Sequence, residues 1–166
     1  MRYYDLYESP QGQMLLAAND DGIAGVYFDG QKHFPKKAEQ LRRDARHPLL
    51  NQAKRELAEY FAGKRRRFEV ALAPEGTSFQ RAVWKAISTV GFGETISYAE
   101  LARRAGCPGS ARAAGAATGR NPIGIIVPCH RIVGSNGSLT GYAGGLARKR
   151  ALLALESGER GLLSAA

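Results

Sequence analysis

The sequence predicts an α+β chain of two small domains: a short antiparallel sheet carrying one helix, then a mainly helical unit built round a helix-turn-helix. Three observations predict it. Aromatic and branched residues cluster between turn formers over the first 28 residues, apolar spacing then switches to the helical period near residue 49, and a helix, a short glycine-containing turn and a second helix follow between residues 97 and 118.

In chain order, Tyr3–Tyr7, Gln13–Ala18 and Ile23–Phe28 read as strands of a meander, separated by Pro10-Gln11-Gly12 and Asn19-Asp20-Asp21-Gly22. Leu49, Leu50, Ala53, Leu57, Tyr60 and Phe61 share one face of a helix that ends before Gly63. A basic run, Lys64 to Arg67, leads into an alternating strand through Phe68, Val70 and Leu72, and Ala73-Pro74-Glu75-Gly76 reads as a linker. The boundary therefore falls between residues 76 and 77, giving domains 1–76 and 77–166.

Thr77 or Ser78 caps a helix with Phe79, Val83, Trp84, Ile87 and Val90 on its apolar face. Ser97 and Glu100 have capping-box spacing and open a short helix ending at Gly106. The turn Cys107–Ser110 delivers a helix from Ala111 to about Thr118, made of Ala and Gly with Arg112 as its one long side chain. Such a helix fits either close packing in a core or close approach to DNA, and Arg103, Arg104, Arg112 and Arg120 around it favour DNA. An apolar strand, Ile123–Val127, a glycine-rich stretch over Gly134–Gly145 and a last helix, Leu146–Glu156, complete the chain.

Composition narrows the function. The 166-residue chain carries a formal charge of +9 and a pI near 9.9, which favours a polyanionic partner through counterion release. With no apolar run of bilayer length and no secretory leader before Pro10, the expected location is the cytoplasm, without membrane contact. Two cysteines, Cys107 and Cys129, cannot make a disulfide framework. Residues 1–76 hold no cysteine and only His33 and His47 as soft ligands, so no metal and no cofactor is expected.

Cys129 follows the apolar run Ile125–Val127 and precedes His130 and Arg131, so a thiol stands at the mouth of a buried strand beside a potential base and a fixed cation. The bland alternative is a small buried hydrophobe. A neighbouring imidazole or guanidinium would lower the thiol's pKa and favour the thiolate nucleophile. On a regular strand Cys129 and His130 would point to opposite faces, so either Pro128 breaks the strand or a water carries the proton. Glu156, at the end of the last helix, is the candidate carboxylate to orient His130.

Ile126-Val127-Pro128-Cys129-His130-Arg131, with Arg120-Asn121-Pro122 before it and Gly141-Tyr142-Ala143-Gly144-Gly145 after it, resembles the O6-alkylguanine-DNA alkyltransferases. The resemblance runs from Thr77 to Glu156, through Ser78-Phe79-Gln80, Val83-Trp84-Lys85 and Gly93–Tyr98. It is looser in the first half, where Glu59-Tyr60-Phe61-Ala62-Gly63 carries it. It implies a ribonuclease-H-like sheet with helix in the first domain and a winged-helix-like second domain.

It also implies stoichiometric, irreversible repair of alkylated duplex DNA by a monomer, with cooperative binding left open. Cys129 would take the alkyl group, His130 would accept the thiol proton through a water, Glu156 would orient His130, and Tyr98 would protonate the departing guanine. The Ala/Gly helix would enter the minor groove, with Arg112 filling the gap of an everted base and Ser110, Ala111, Ala113, Gly115 and Arg120 beside it. Val127, Tyr142, Ala143 and Gly144 would line the guanine pocket, the Val127 and Cys129 carbonyls meeting the base's amino group, and Asn121 would brace the turn before the active-site strand. Ala143 stands where some relatives carry serine, and Cys107 matches no nucleophile of the family. The rivals are a sensor that binds alkylated DNA without repairing it, a helix-turn-helix regulator, and a cysteine hydrolase with turnover.

Overall fold

A computed structural model describes residues 1–158. β1 (Tyr3–Ser9), β2 (Gly12–Ala18) and β3 (Ile23–Phe28) form the predicted meander, with Tyr3 opposite Ala18 and Met14 opposite Phe28. A two-residue strand, β4 (Arg42–Arg43), joins β1 in parallel and completes the order β3-β2-β1-β4. Two arginines carry no strand signal, so β4 was invisible in the sequence. α1 (Pro48–Phe61) covers one face of the sheet. Proline occupies its first turn, where no backbone N–H is required, and His47 caps it by accepting the Leu49 N–H at 3.2 Å.

The second half is built from α2 (Ser78–Ile87), α3 (Tyr98–Arg104), α4 (Ala111–Gly119) and α5 (Leu146–Ser157), with a two-stranded parallel ladder of β5 (Ile96–Ser97) and β6 (Ile132–Val133). Thr77 and Gln80 make a full capping box on α2. Ser97 caps α3, but the Glu100 carboxylate turns to Arg103 and Arg104 and leaves the other half of that box unmade. On α2, Val83, Trp84 and Ile87 are buried whereas Phe79 is exposed. The Trp84 indole N–H donates to the Ala117 carbonyl at 2.9 Å and fixes α4 against α2.

Two expected strands are not regular strands. Around Leu72 the chain makes one parallel bridge with Ile23, and around Ile123 one with Val26, so two short segments lie along the free edge of β3. Both runs are apolar because they are buried, and burial alone does not distinguish a ladder from an irregular path. Beyond Ile123 the chain is held by Asn121, whose Nδ2 donates to the Ile123 and Val127 carbonyls at 3.3 and 2.9 Å and whose Oδ1 accepts the Ile123 N–H at 3.0 Å. One side-chain amide replaces a neighbouring strand. Ile125 takes a positive φ of 67°, a rare conformation for a β-branched residue.

Met14, Phe28, Leu50, Leu57 and Tyr60 from the first half pack with Val83, Leu101, Ile123, Cys129 and Leu152 from the second in one continuous core. The opposite face of the sheet is covered by a smaller cluster round Leu15, Ala17 and Tyr27, with Phe34 and Leu41 packed on it.

Candidate active site

A cleft of about 610 Å³ opens between α4, the start of α3 and the loop Thr140–Ala143, with Cys129 in its lining. Its walls are Tyr98, Ala111, Arg112, Gly115, Thr118 and Gly119 on one side, and Thr140, Gly141, Tyr142 and Ala143 on the other. Lys32 and His33 from the first half close the rim. The Tyr98 hydroxyl and Thr140 Oγ1 are 3.0 Å apart, which ties the two walls together.

Cys129 opens a single 3₁₀ turn, Cys129–Arg131, preceded by Pro128. The turn separates the three side chains: Cys129 lines the cleft at 8% exposure, while His130 is wholly buried behind it. His130 Nε2 lies 2.7 Å from Glu156 Oε2, and its Nδ1 is buried with no hydrogen-bond partner among the described residues. With Nε2–H donating its hydrogen bond to the carboxylate, Nδ1 carries the lone pair of a neutral ring. Burial lowers the imidazole's pKa even against the pull of Glu156, so the ring is neutral near pH 7.

Glu156 is the hub behind the cleft. Its carboxylate receives the Tyr60 hydroxyl at 2.6 Å and the Arg131 guanidinium at 2.8 and 3.0 Å. Burial alone would raise its pKa, but the hydrogen bonds from His130 and Arg131 outweigh burial and hold it at about 2. The charge is thus compensated at the C-terminal end of α5, where the helix dipole disfavours it.

The thiol is in a different position from the one its neighbours suggested. Arg131 turns away to Glu156 and the Val90 carbonyl, so it does not lower the pKa of Cys129. The cation acting on the sulfur is Lys149, fully buried, whose Nζ donates to the Ile132 carbonyl at 2.6 Å. Burial pushes the thiol up, and the opposing pull of the Asn121 amide and Lys149 does not overcome it. The sulfur is therefore a thiol at rest, and its proton must leave before or during any attack.

α4 presents two faces. Ala114, Ala117 and Thr118 pack inward, whereas Arg112, Ala113, Ala116 and Gly119 are exposed, so both readings of its small residues hold, each on its own side. Arg103 and Arg104 are paired with Glu100, while no carboxylate reaches Arg112 or Arg120 among the described residues.

Residues 78–158 match the family model described as 6-O-methylguanine DNA methyltransferase, DNA binding domain, and residues 2–74 match that of its ribonuclease-like domain. A methylated-DNA--protein-cysteine methyltransferase of Methanosarcina acetivorans is 46% identical over 155 residues, spanning 93% of this chain and 97% of that one. The chain belongs to the 6-O-methylguanine DNA methyltransferase family. A constitutive methylated-DNA--protein-cysteine methyltransferase of Bacillus subtilis is 40% identical over 154 residues, covering 92% of this chain and 93% of the relative. The crystal structure of Mycobacterium tuberculosis OGT in complex with DNA superposes with a TM-score of 0.86 at 42% identity, over 97% of this chain and 98% of that chain.

In this family member the structure brings Cys129, Tyr98, Arg112, Ala111, Gly115, Tyr142 and Ala143 to one cleft, with His130 and Glu156 directly behind it. Ala113 follows Arg112 on α4, Ser110 is the residue at the helix's N-cap, and Arg120 stands at its C-cap. Val127 and Gly144 do not line the cleft. The Val127 carbonyl accepts from Asn121 Nδ2 at 2.9 Å and from the Cys129 N–H at 2.8 Å. Gly144 lies behind Tyr142 instead, where a Cβ would stand 2.7 Å from that ring. Nothing in the sequence marked Tyr60, Lys149, Lys32 or His33 as belonging to this site. Only the positive φ of His33, 62°, marks its segment as unusual, and no spacing rule reports it.

Proposed function

We propose that this chain repairs DNA by moving the alkyl group of O6-alkylguanine irreversibly onto Cys129 after the damaged base is everted into the cleft, acting as a monomer in the cytoplasm. Residues 77–166 supply the chemistry and the DNA face, and residues 1–76 the support. The observation that carries this reading is a thiol lining a cleft with room for a purine, in front of a buried, neutral histidine whose Nδ1 has no partner among the described residues and whose Nε2 is backed by an ionised carboxylate.

The proton of Cys129 passes through one water to His130 Nδ1, and Glu156 stabilises the imidazolium that forms. The sulfur attacks the alkyl carbon, an S–C bond forms as the C–O6 bond breaks, and the bonding electrons leave with guanine. Tyr98, at the cleft wall, gives the departing base a proton, which His130 then restores. Net, the alkyl group replaces the thiol proton and guanine gains it, so no cofactor is required. The family membership supports this chemistry, as do the names of relatives more than 40% identical.

For DNA, the bare outer face of α4 suits the minor groove, and Arg112 is placed to fill the stack left by an everted base. Arg112→Ala is expected to slow repair of duplex DNA by on the order of tenfold or more, with much less effect on free O6-benzylguanine, because only duplex needs the extruded state stabilised. Equal losses on both substrates would remove that role. Affinity for undamaged duplex is expected to fall steeply between low and physiological salt, as phosphate neutralisation by a +9 chain requires. A flat fluorescence-anisotropy titration across salt would exclude the phosphate contacts.

The deciding experiment is mass spectrometry after incubation with duplex containing O6-methylguanine. One methyl on the peptide bearing Cys129 is the expected result. Sustained turnover would indicate a hydrolase, and tight binding with unchanged mass a damage sensor. The same assay with O4-methylthymine defines whether that lesion is also accepted.

A further inference from the structure

The segment Thr140–Gly145, whose first four residues form the cleft wall, contains glycine at 141, 144 and 145, so it has little conformational preference of its own and must be held from outside. Its first end is held within the second half, by Tyr98 on the Thr140 hydroxyl and by Lys149 on the Thr140 carbonyl at 3.4 Å. Its other end is held by Arg148, on α5. Nη1 of Arg148 donates to the Gly144 carbonyl at 3.1 Å, and Nε of the same guanidinium donates to the Gln11 carbonyl in the β1–β2 turn at 3.0 Å. The guanidinium carbon stands 4.3 Å from the centre of the Phe28 ring on β3.

The surrounding residues are cut to fit this arrangement. A Cβ on Gly12 would stand 3.2 Å from Arg148 Nη2, at a φ of 114°. A Cβ on Gly144 would stand 3.0 Å from the Phe28 ring and 2.7 Å from the ring of Tyr142. Tyr142, the broadest side chain of the wall, thus leans on Gly144, which leans on Phe28, which carries Arg148. The Lys32 N–H adds a bond to the Ala143 carbonyl at 3.1 Å. A planar fork that reaches two carbonyls and one aromatic face is a task for arginine, and lysine's single ammonium meets only part of it.

We infer that Arg148 is a positioning residue that pins the lesion-facing wall to the first half of the chain, so that the cleft's tolerance for the size of the transferred alkyl group is set by a contact outside the cleft. The inference rests on the alkyl-transfer reading above. A methyl group is transferred only if the wall presses the base to within reach of the sulfur, whereas a benzyl group fills a slackened cleft and keeps its own apposition.

The test compares transfer rates from O6-methylguanine duplex and O6-benzylguanine duplex for wild type, Arg148→Met, Arg148→Lys and, as a control, Arg150→Met. Arg150 is exposed on the same helix and outside the site. Arg148→Met is expected to raise the benzyl-to-methyl rate ratio about tenfold, Arg148→Lys to give an intermediate ratio, and the control to leave it unchanged. Amide hydrogen exchange gives a second readout, with faster exchange at residues 141–145 expected in Arg148→Met. A ratio within about twofold of wild type in both Arg148 variants, with unchanged exchange, would overturn the inference. If Arg148→Met does not fold, Arg148→Lys decides alone. If wild type transfers neither group, the functional reading fails, and the exchange data still judge the pinning.

Discussion

Serine in place of Cys129 is expected to abolish alkyl transfer while leaving duplex binding near its original strength. The two substituents differ by one atom, and Cys129 lines the cleft without contributing to the exposed face of α4, so the face proposed to meet DNA is untouched. The chemistry is not preserved. Even the thiol here is held protonated by burial, and a hydroxyl is far harder to ionise behind the same base. Loss of a covalent nucleophile costs on the order of a millionfold in a well-studied hydrolase, and a comparable loss puts methylation of the Cys129→Ser protein below detection by mass spectrometry. Methyl appearing on Cys107 at the wild-type rate would move the nucleophile to the helix-turn-helix and undo the assignment.

The second large effect is expected at Glu156. Glu156→Ala leaves the Arg131 guanidinium buried without its counter-ion and deprives Tyr60 and His130 of their acceptor. Removing one partner of a buried pair costs about 3–5 kcal/mol, and for a chain of this size that lowers Tm by roughly 10 °C. Glu156→Gln keeps the shape but not the charge, so it is expected to lose less stability and still slow transfer on the order of a hundredfold by failing to support the imidazolium.

The same group sets a pH window. Its folded pKa of about 2 lies below the usual glutamate value of 4.5, so its contribution is present above that value and is lost as pH falls toward 2. His130 adds in the same direction: its folded pKa is depressed, so the unfolded chain binds the proton first and stability declines as pH drops below about 6.5. Urea denaturation midpoints that stay flat from pH 7 to pH 3 would contradict both.

Much of this was legible in the residues. β3 was placed at its true ends, since a run of branched and aromatic residues follows the turn formers Asn19–Gly22. Thr77 and Ser97 announced α2 and α3 by side chains that act locally, whereas α4 was marked by the Cys107–Ser110 turn alone, since the Ser110 side chain makes no cap bond. Residues 123–127 failed because periodicity cannot see that Asn121 takes over the bonds a neighbouring strand would make. At the site, Cys129 and His130 were readable as neighbours. Tyr60 and Lys149 were not, because each acts across a long stretch of sequence and looks locally like an ordinary core tyrosine or surface lysine. The expected role of Arg131 was misread for the converse reason: adjacency in sequence suggested influence on the sulfur, and the 3₁₀ turn sent the side chain elsewhere.

The hydrogen bond from Tyr60 to Glu156 spans 96 positions of the chain, and the same junction is reinforced by the segments laid along β3. A fragment beginning at residue 77 would keep every atom expected to react. It would also bare the apolar surface that α1 and β3 now cover and leave the Glu156 carboxylate with one donor fewer. The two pieces share one apolar core, so a cut between them is expected to blunt the reactive end of the second.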